Sequence, residues 1–288
     1  MKKILVTGAK GQLGKKIIDI LGSKYKLVLT DSDNMDITDI TAVKRVFTEE
    51  KPDLVIHGAA YTKVDAAEES EELCRKINAT GTKNVANICK GFGATLFYIS
   101  TDYVLDGQKT TPYTEEDPAN PLSVYGKTKY EGEQFVKEIC NKYYILRVAW
   151  LFGELPEGHP GTNFVETMLR LAQERDSLNI VNDQIGSPTY TEDLVRVIEM
   201  IIEKKITYGL YHFSGEGAAS WFDFASEIFK QSQVKIQVSP ITSDQYPQKA
   251  ERPSYSYMSK KKIEEALGLK VRPWQEMLRD YLGNRHKN

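Results

Sequence analysis

A doubly wound α/β fold with a parallel sheet is what this 288-residue sequence predicts, on three observations. Short apolar runs alternate with amphipathic segments of helical spacing through the first half of the chain. That is the rhythm of βαβ units whose helices cover both faces of a sheet. Glycines 8, 11 and 14 fall between the first apolar run and the first helical segment, where a strand-to-helix turn can receive a phosphate. After about Trp150 the rhythm changes, and the length allows a second, smaller unit beside the first.

The strands are expected at 4–6, 26–29, 54–56, 95–99 and 144–148, each apolar enough to be buried. Helical patterns lie between them, as at 16–21 and 42–47. Residues 1–150 therefore read as a dinucleotide-binding unit of the Rossmann type. Residues 152–161, rich in Gly and Pro, suggest a lid or a domain joint. A helix is expected at about 163–175, a strand at 178–181 and a helix at 192–204, whose inner face carries Leu194, Val195, Ile198 and Ile201 or Ile202. Ser220 to Asp223 fits a capping box before an apolar helix, and Pro273 suits the start of the last helix. Residues 151–288 thus read as a mainly substrate-binding α/β domain, with elements near 178–204 returning to the first unit.

Composition narrows the functions. Lys and Arg total 38 against 40 Asp and Glu, a balance that argues against a nucleic-acid binder. Three cysteines without a C-x-x-C spacing read as buried thiols rather than a disulfide framework. The histidines, His57, His159, His212 and His286, lack metal-ligand spacing, so no metal site is expected. The first apolar run is too short for a signal segment, and no later one reaches spanning length. A cytoplasmic protein with no membrane partner is expected.

Glycines 8, 11 and 14 have separate tasks: a tight turn, room for a pyrophosphate, and close helix–strand packing. The helix that follows offers free N–H groups to the anion. Asp31, at the end of the second strand, suits the ribose hydroxyls of NADH. No arginine stands beside it to receive the 2′-phosphate of NADPH, a lean that leaves both cofactors open. Tyr125 and Lys129 form Y-x-x-x-K, so on a helix they share a face. The ammonium is expected to lower the phenol's pKa, letting Tyr125 exchange a proton with a substrate oxygen while hydride moves at carbon. Ser100 and Thr101 end the fourth strand, at the sheet edge where ligands of such folds bind. A hydroxyl there can bond the same substrate oxygen.

These residues resemble the extended short-chain dehydrogenase/reductase family, and within it the branch that reduces dTDP-linked 4-keto sugars. The resemblance covers nearly the whole chain. It rests on T-G-x-x-G-Q-L-G at 7–14, A-A-Y-T-x-V-D-x-A-E at 59–68, S-T-D-Y-V at 100–104, V-Y-G-x-T-K at 124–129, N-D-Q-x-G-x-P-T at 182–189 and A-x-R-P at 250–253. It implies reduction of the C4 keto group of dTDP-4-dehydro-L-rhamnose by NADPH or NADH. Tyr125 would protonate the C4 oxygen, assisted by Lys129 and Thr101. Gly8, Gly11, Gln12, Leu13, Gly14, Asp31, Asp36, Ile37, Ala59, Ala60 and Thr62 would line the cofactor with Tyr125 and Lys129. Asp102, Tyr103 and Trp150 would touch the sugar nucleotide, and Arg252 would suit its pyrophosphate.

The dehydratases of this family carry Asp-Glu after the strand-four threonine, whereas Tyr103 follows Asp102 here, which favours a reductase. Some members form a magnesium-bridged dimer through a glutamate just past the glycine turn. Lys15 and Lys16 occupy that region, so a homodimer is expected only without a bridging metal. Met258 replaces the family's usual leucine. Two alternatives stay open: another nucleotide-sugar reductase or an epimerase of the same family, and a non-catalytic dinucleotide-binding regulatory subunit. The intact Thr101, Tyr125 and Lys129 set speaks against the second.

Overall fold

The structure is a computed structural model that describes residues 1–159 and 161–285. Pro160, within the expected lid or joint, and His286 lie outside the described residues.

The first half alternates as the apolar pattern requires: β1 (Lys3–Thr7), α1 (Gln12–Leu21), β2 (Lys26–Thr30), α2 (Ile40–Glu50), β3 (Leu54–His57), α3 (Val64–Ala67), α4 (Glu71–Arg75), α5 (Thr82–Phe92), β4 (Thr95–Thr101), α6 (Val124–Ile139) and β5 (Tyr143–Val148). A π-helical turn, Lys76–Gly81, joins α4 to α5, and a 3-10 turn, Asp102–Val104, follows β4. The second half holds β6 (Leu151–Phe152), α7 (Phe164–Glu174), β7 (Ser177–Val181), β8 (Ile185–Gly186), β9 (Thr189–Tyr190), α8 (Thr191–Lys204), β10 (Gly209–Phe213), β11 (Ala219–Ser220), α9 (Trp221–Gln231), β12 (Gln237–Ile241), α10 (Lys261–Leu267) and α11 (Trp274–Asn284).

The main sheet is parallel, in the order β2-β1-β3-β4-β5-β10. Alternate residues of each strand feed opposite faces, because side chains on a strand alternate. Ile4, Val6, Ile56 and Phe97 pack with Leu13 and Ile17 of α1 and Leu194, Ile198 and Ile201 of α8. Leu5, Val55, Leu96 and Ile145 pack on the other face with Val43 and Phe47 of α2, Val85 of α5 and Val136 of α6. The first face continues without a break into α7, α9 and α11, so one core spans both halves. The strand expected at 26–29 is half-exposed: β2 is the sheet edge, and Leu29 is 40% exposed.

The stretch expected to return near 178–204 divides. α8 covers the main sheet, but β7 pairs with β12, and the strand that joins the main sheet is β10 beside β5. The physical reason is that a parallel neighbour of β5 can be reached only by a crossover back to the same end of the sheet; α8 supplies it, so the joining strand follows that helix in sequence. Ser220 forms the expected capping box with Asp223, and Pro273 is the N-cap of α11. Loop 153–159 begins firmly anchored, since Asn163 Nδ2 donates to Gly153 O at 2.9 Å and Tyr190 Oη donates to Glu154 Oε1 at 2.6 Å.

Candidate active site

Strand order reverses between β1 and β3, and the crevice outside the carboxyl ends of the strands opens there. Gly8 has φ 71°, and a Cβ on it would come within 2.9 Å of Ala59 N, so the turn after β1 lies directly against the turn after β3. Thr7 Oγ1 accepts from Ala59 N–H at 3.1 Å and reinforces that contact. Gly11 caps α1 with no side-chain hydrogen bond, which leaves the first-turn N–H groups directed at the crevice. Gln12 donates to Leu151 O at 3.2 Å while its Oε1 is buried without a partner. Gly14 and Leu13 pack α1 onto the sheet. A glycine cradle and an uncapped helix end fit a dinucleotide pyrophosphate.

Asp31 accepts backbone N–H groups from Lys10 at 3.0 Å and from Ser32 at 2.8 Å. Lys10 Nζ donates to Asp33 at 2.7 Å. A cation therefore does stand beside the ribose end, from the glycine turn rather than from the strand-two loop. Reading along the second strand for an arginine missed it. Asp36 is exposed and accepts from Thr38 N–H at 2.8 Å, Ile37 is buried beside Gly81, and Ala60 and Thr62 lie on the turn after β3.

On the far side of the crevice, α6 brings Tyr125 and Lys129 to the end of β4. Its N-terminus is held by Ser123, whose Oγ accepts from Gly126 N–H, and by Glu68, which accepts from Val124 N–H at 2.8 Å. Asn78, lifted by the π-helical turn, accepts from Tyr61 N–H at 2.8 Å and donates to Thr128 Oγ1 at 3.2 Å. It locks the strand-three turn to α6. Sequence reading missed Asn78, because its role depends on a turn with no local signature.

Thr101 donates to Asp102 Oδ1 at 3.1 Å, and Ser256 donates to Asp102 Oδ2 at 2.7 Å. Burial raises Asp102 to about 6 against these two bonds. Tyr103 meets Tyr125 edge-on with ring centroids 5.5 Å apart, and burial pushes its phenol up to about 12. The expected net lowering of the Tyr125 pKa does not occur: burial outweighs any help from Lys129 and drives the phenol up, and the largest opposing influence is the Thr101 side chain. The Lys129 ammonium instead donates to Ile99 O at 2.7 Å and lies over the Tyr98 ring at 4.2 Å. Its own burial brings it down to about 7.

Trp150, at φ 46°, does not face the crevice alone. Its indole lies flat on Trp221 of α9, with centroids 3.6 Å apart. Arg252 is engaged by Asp65 of α3, at 3.0 and 2.7 Å. Asp65 also accepts N–H groups of Lys249 and Ala250 and is held down at about 2, chiefly by that guanidinium. Beside Arg252 opens a cleft of about 820 Å³, lined by Asp106, Lys109, Asp183, Glu251 and Tyr255 among others. Another cleft, of about 680 Å³ among α7, α9 and α11, lies away from these residues. Lys16 points inward to Glu154 at 2.9 Å and Glu192 at 3.6 Å, and Lys15 pairs with Asp19 at 3.0 Å. Among the described residues no cluster of three or more His, Cys, Asp or Glu is placed to hold a metal.

The family model described as the RmlD substrate binding domain matches residues 1–286. The chain belongs to that family. The spore coat polysaccharide biosynthesis protein SpsK of Bacillus subtilis is 39% identical over 99% of this chain and 98% of its own. A crystal structure of a dTDP-4-dehydrorhamnose reductase from Clostridium acetobutylicum is 45% identical, with a TM-score of 0.92 and 98% of each chain covered. The dTDP-4-dehydrorhamnose reductase of Bacillus anthracis, solved in complex with NADP, is 42% identical with a TM-score of 0.93 over 99% of this chain and 100% of that one. These likenesses agree with the arrangement just described, since they extend through both halves and not the dinucleotide fold alone.

Proposed function

We propose that this protein reduces the C4 keto group of dTDP-4-dehydro-L-rhamnose to give dTDP-L-rhamnose, in the synthesis of a cell-surface polysaccharide. The observation that carries the reading is the convergence of Thr101, Tyr125 and Lys129 at one strand end, facing a glycine cradle built for a dinucleotide. Gly8, Gly11, Gln12, Leu13 and Gly14 hold the pyrophosphate, with Asp36, Ile37, Ala59, Ala60 and Thr62 along its length. NADPH or NADH, when bound, supplies the hydride. The Lys10 ammonium beside Asp31 and Asp33, together with the NADP complex of the Bacillus anthracis relative, favours NADPH.

Tyr125 donates the proton. Burial keeps its phenol protonated, which is the form a reduction needs: the substrate oxygen gains a proton as the carbonyl carbon gains hydride. The Lys129 ammonium, one helical turn on, stabilises the phenolate left behind. Thr101 fixes the oxygen's position, and Asp102, Tyr103 and Trp150 border the sugar. Arg252 and the adjacent cleft receive the nucleotide diphosphate. Tyr125→Phe removes the donor while keeping the ring, so turnover should fall by about 10²–10⁴-fold with cofactor affinity retained. Near-normal turnover by that variant, measured as cofactor oxidation with the dTDP substrate, would overturn the assignment.

A further inference from the structure

Beneath this set lies a buried charged group that the chemistry above leaves unused. Glu133 of α6 is fully buried and Arg147 of β5 is 2% exposed. Arg147 Nε and Nη2 donate to Glu133 Oε1 and Oε2, both at 2.8 Å, and Ser100 Oγ donates to Oε1 at 2.6 Å. Ser100 and Arg147 are register partners across β4 and β5, so the triad clamps the strand end that carries Thr101. Arg147 Nη1 remains without a partner among the described residues.

Stability explains the pair poorly. Removing two ions from water costs several kcal/mol each, and a well-packed apolar pair of the same volume is often as stable or more so. Placement explains it better. Tyr125, Lys129 and Glu133 follow at intervals of four along one helix face, which sets the Glu133 carboxylate one turn from Lys129, where its charge opposes the effect of burial on the ammonium.

The other elements packed around that ammonium offer no substitute. Tyr98 of β4 gives a ring face, Cys74 of α4 a thiol raised by burial, and His57 of β3 an imidazole brought down to about 3 by burial. Lys76 and Lys83, from the π-helical turn and α5, are exposed cations. Asp102 and Tyr103 of the 3-10 turn adjoin Tyr125, and Asp65 of α3 is taken by Arg252. On β5, Arg147 is itself a cation, and Lys137 lies 3.7 Å from Glu133 on the solvent side.

We propose that Glu133, gripped by Arg147 and Ser100, is a positioning residue for the reduction: it holds Lys129 in its charged form beside Tyr125 and fixes the Thr101 strand end. The proposal rests on the assignment of Tyr125 and Lys129 above. If the reaction needs the ammonium, turnover falls as pH rises through the Lys129 pKa. Removing the carboxylate lowers that pKa, so the alkaline limb of the kcat profile moves to lower pH.

The experiment measures kcat against pH for Glu133→Gln, Glu133→Asp, Lys129→Met and the double variant Glu133→Leu/Arg147→Met. The double variant removes both charges and so avoids a lone buried ion that could prevent folding. We expect the limb to move down by about one pH unit in Glu133→Gln and to return towards its normal place in Glu133→Asp, while the double variant, which loses the Arg147 cation with the carboxylate, moves it less and lowers kcat through the freed strand end. A folded Glu133→Gln with an unshifted limb, or a folded double variant with both kcat and limb unchanged, alongside an inactive Lys129→Met, would overturn this inference alone. Normal turnover by Lys129→Met would overturn the reading of the site, and this inference with it.

Discussion

Replacing Gly126 with alanine places a methyl carbon 2.2 Å from Tyr103 O, 3.1 Å from Tyr103 C and 3.0 Å from Pro121 Cβ. A carbon and a carbonyl oxygen rest about 3.3 Å apart, so α6 and the 3-10 turn must separate by about 1 Å. Both contacts at Tyr103 are backbone atoms, and neither can swing aside. The overpacking costs about 1–3 kcal/mol, offset by about 1 kcal/mol of helix propensity gained over glycine. The protein should therefore fold, with a Tm lowered by only a few degrees. Geometry suffers more, because the displaced turn carries Asp102 and Tyr103 while the helix carries Tyr125. A misplacement of that size costs about 10²-fold in turnover. The glycine cradle lies across the crevice and is untouched, so cofactor affinity should hold. Parallel measurements of kcat, Tm and NADPH affinity test this. Turnover within threefold of wild type at an unchanged Tm would show that the helix–turn contact does not set the geometry.

Four further outcomes follow from particular contacts. Asp65→Asn weakens the grip on Arg252 and should raise KM for the dTDP-sugar more than it lowers kcat, as steady-state kinetics would show. Because Asp65 is held at about 2, its pairing stabilises the fold above its ordinary pKa and is lost as pH falls from about 4 towards 2. Acid unfolding of wild type and Asp65→Asn should therefore diverge only above that window. Lys10→Ala removes the cation beside Asp31 and Asp33 and should weaken NADPH binding while sparing NADH, readable by fluorescence titration of each cofactor. Arg147→Met alone strands a buried carboxylate and should cost about 3–5 kcal/mol in denaturant unfolding, unlike the double variant with Glu133→Leu.

The parallel sheet, the glycine turn and the shared face of Tyr125 and Lys129 were all legible in the sequence. Each is a local property: strand and helix periods repeat within a few residues, a φ of 71° at position 8 calls for glycine, and residues four apart on a helix meet whatever surrounds it. The family motifs extended that reading to residues whose local pattern says nothing, such as Trp150 and Arg252. Other features depended on the tertiary structure. Asp65 and Arg252 pair across 187 residues, and Asp102 and Ser256 across 154. Lys16, on the outward-looking pattern of a lysine pair, turns inward to Glu154 and Glu192 because those carboxylates come from the second half of the chain. The acidity of Tyr125 was misjudged for the same reason: helix spacing places the ammonium nearby, but burial among neighbours far apart in sequence decides which influence prevails. Periodicity fixes which face of an element is apolar. Which distant charge meets that face, and how much water remains around it, is settled only when the chain closes on itself.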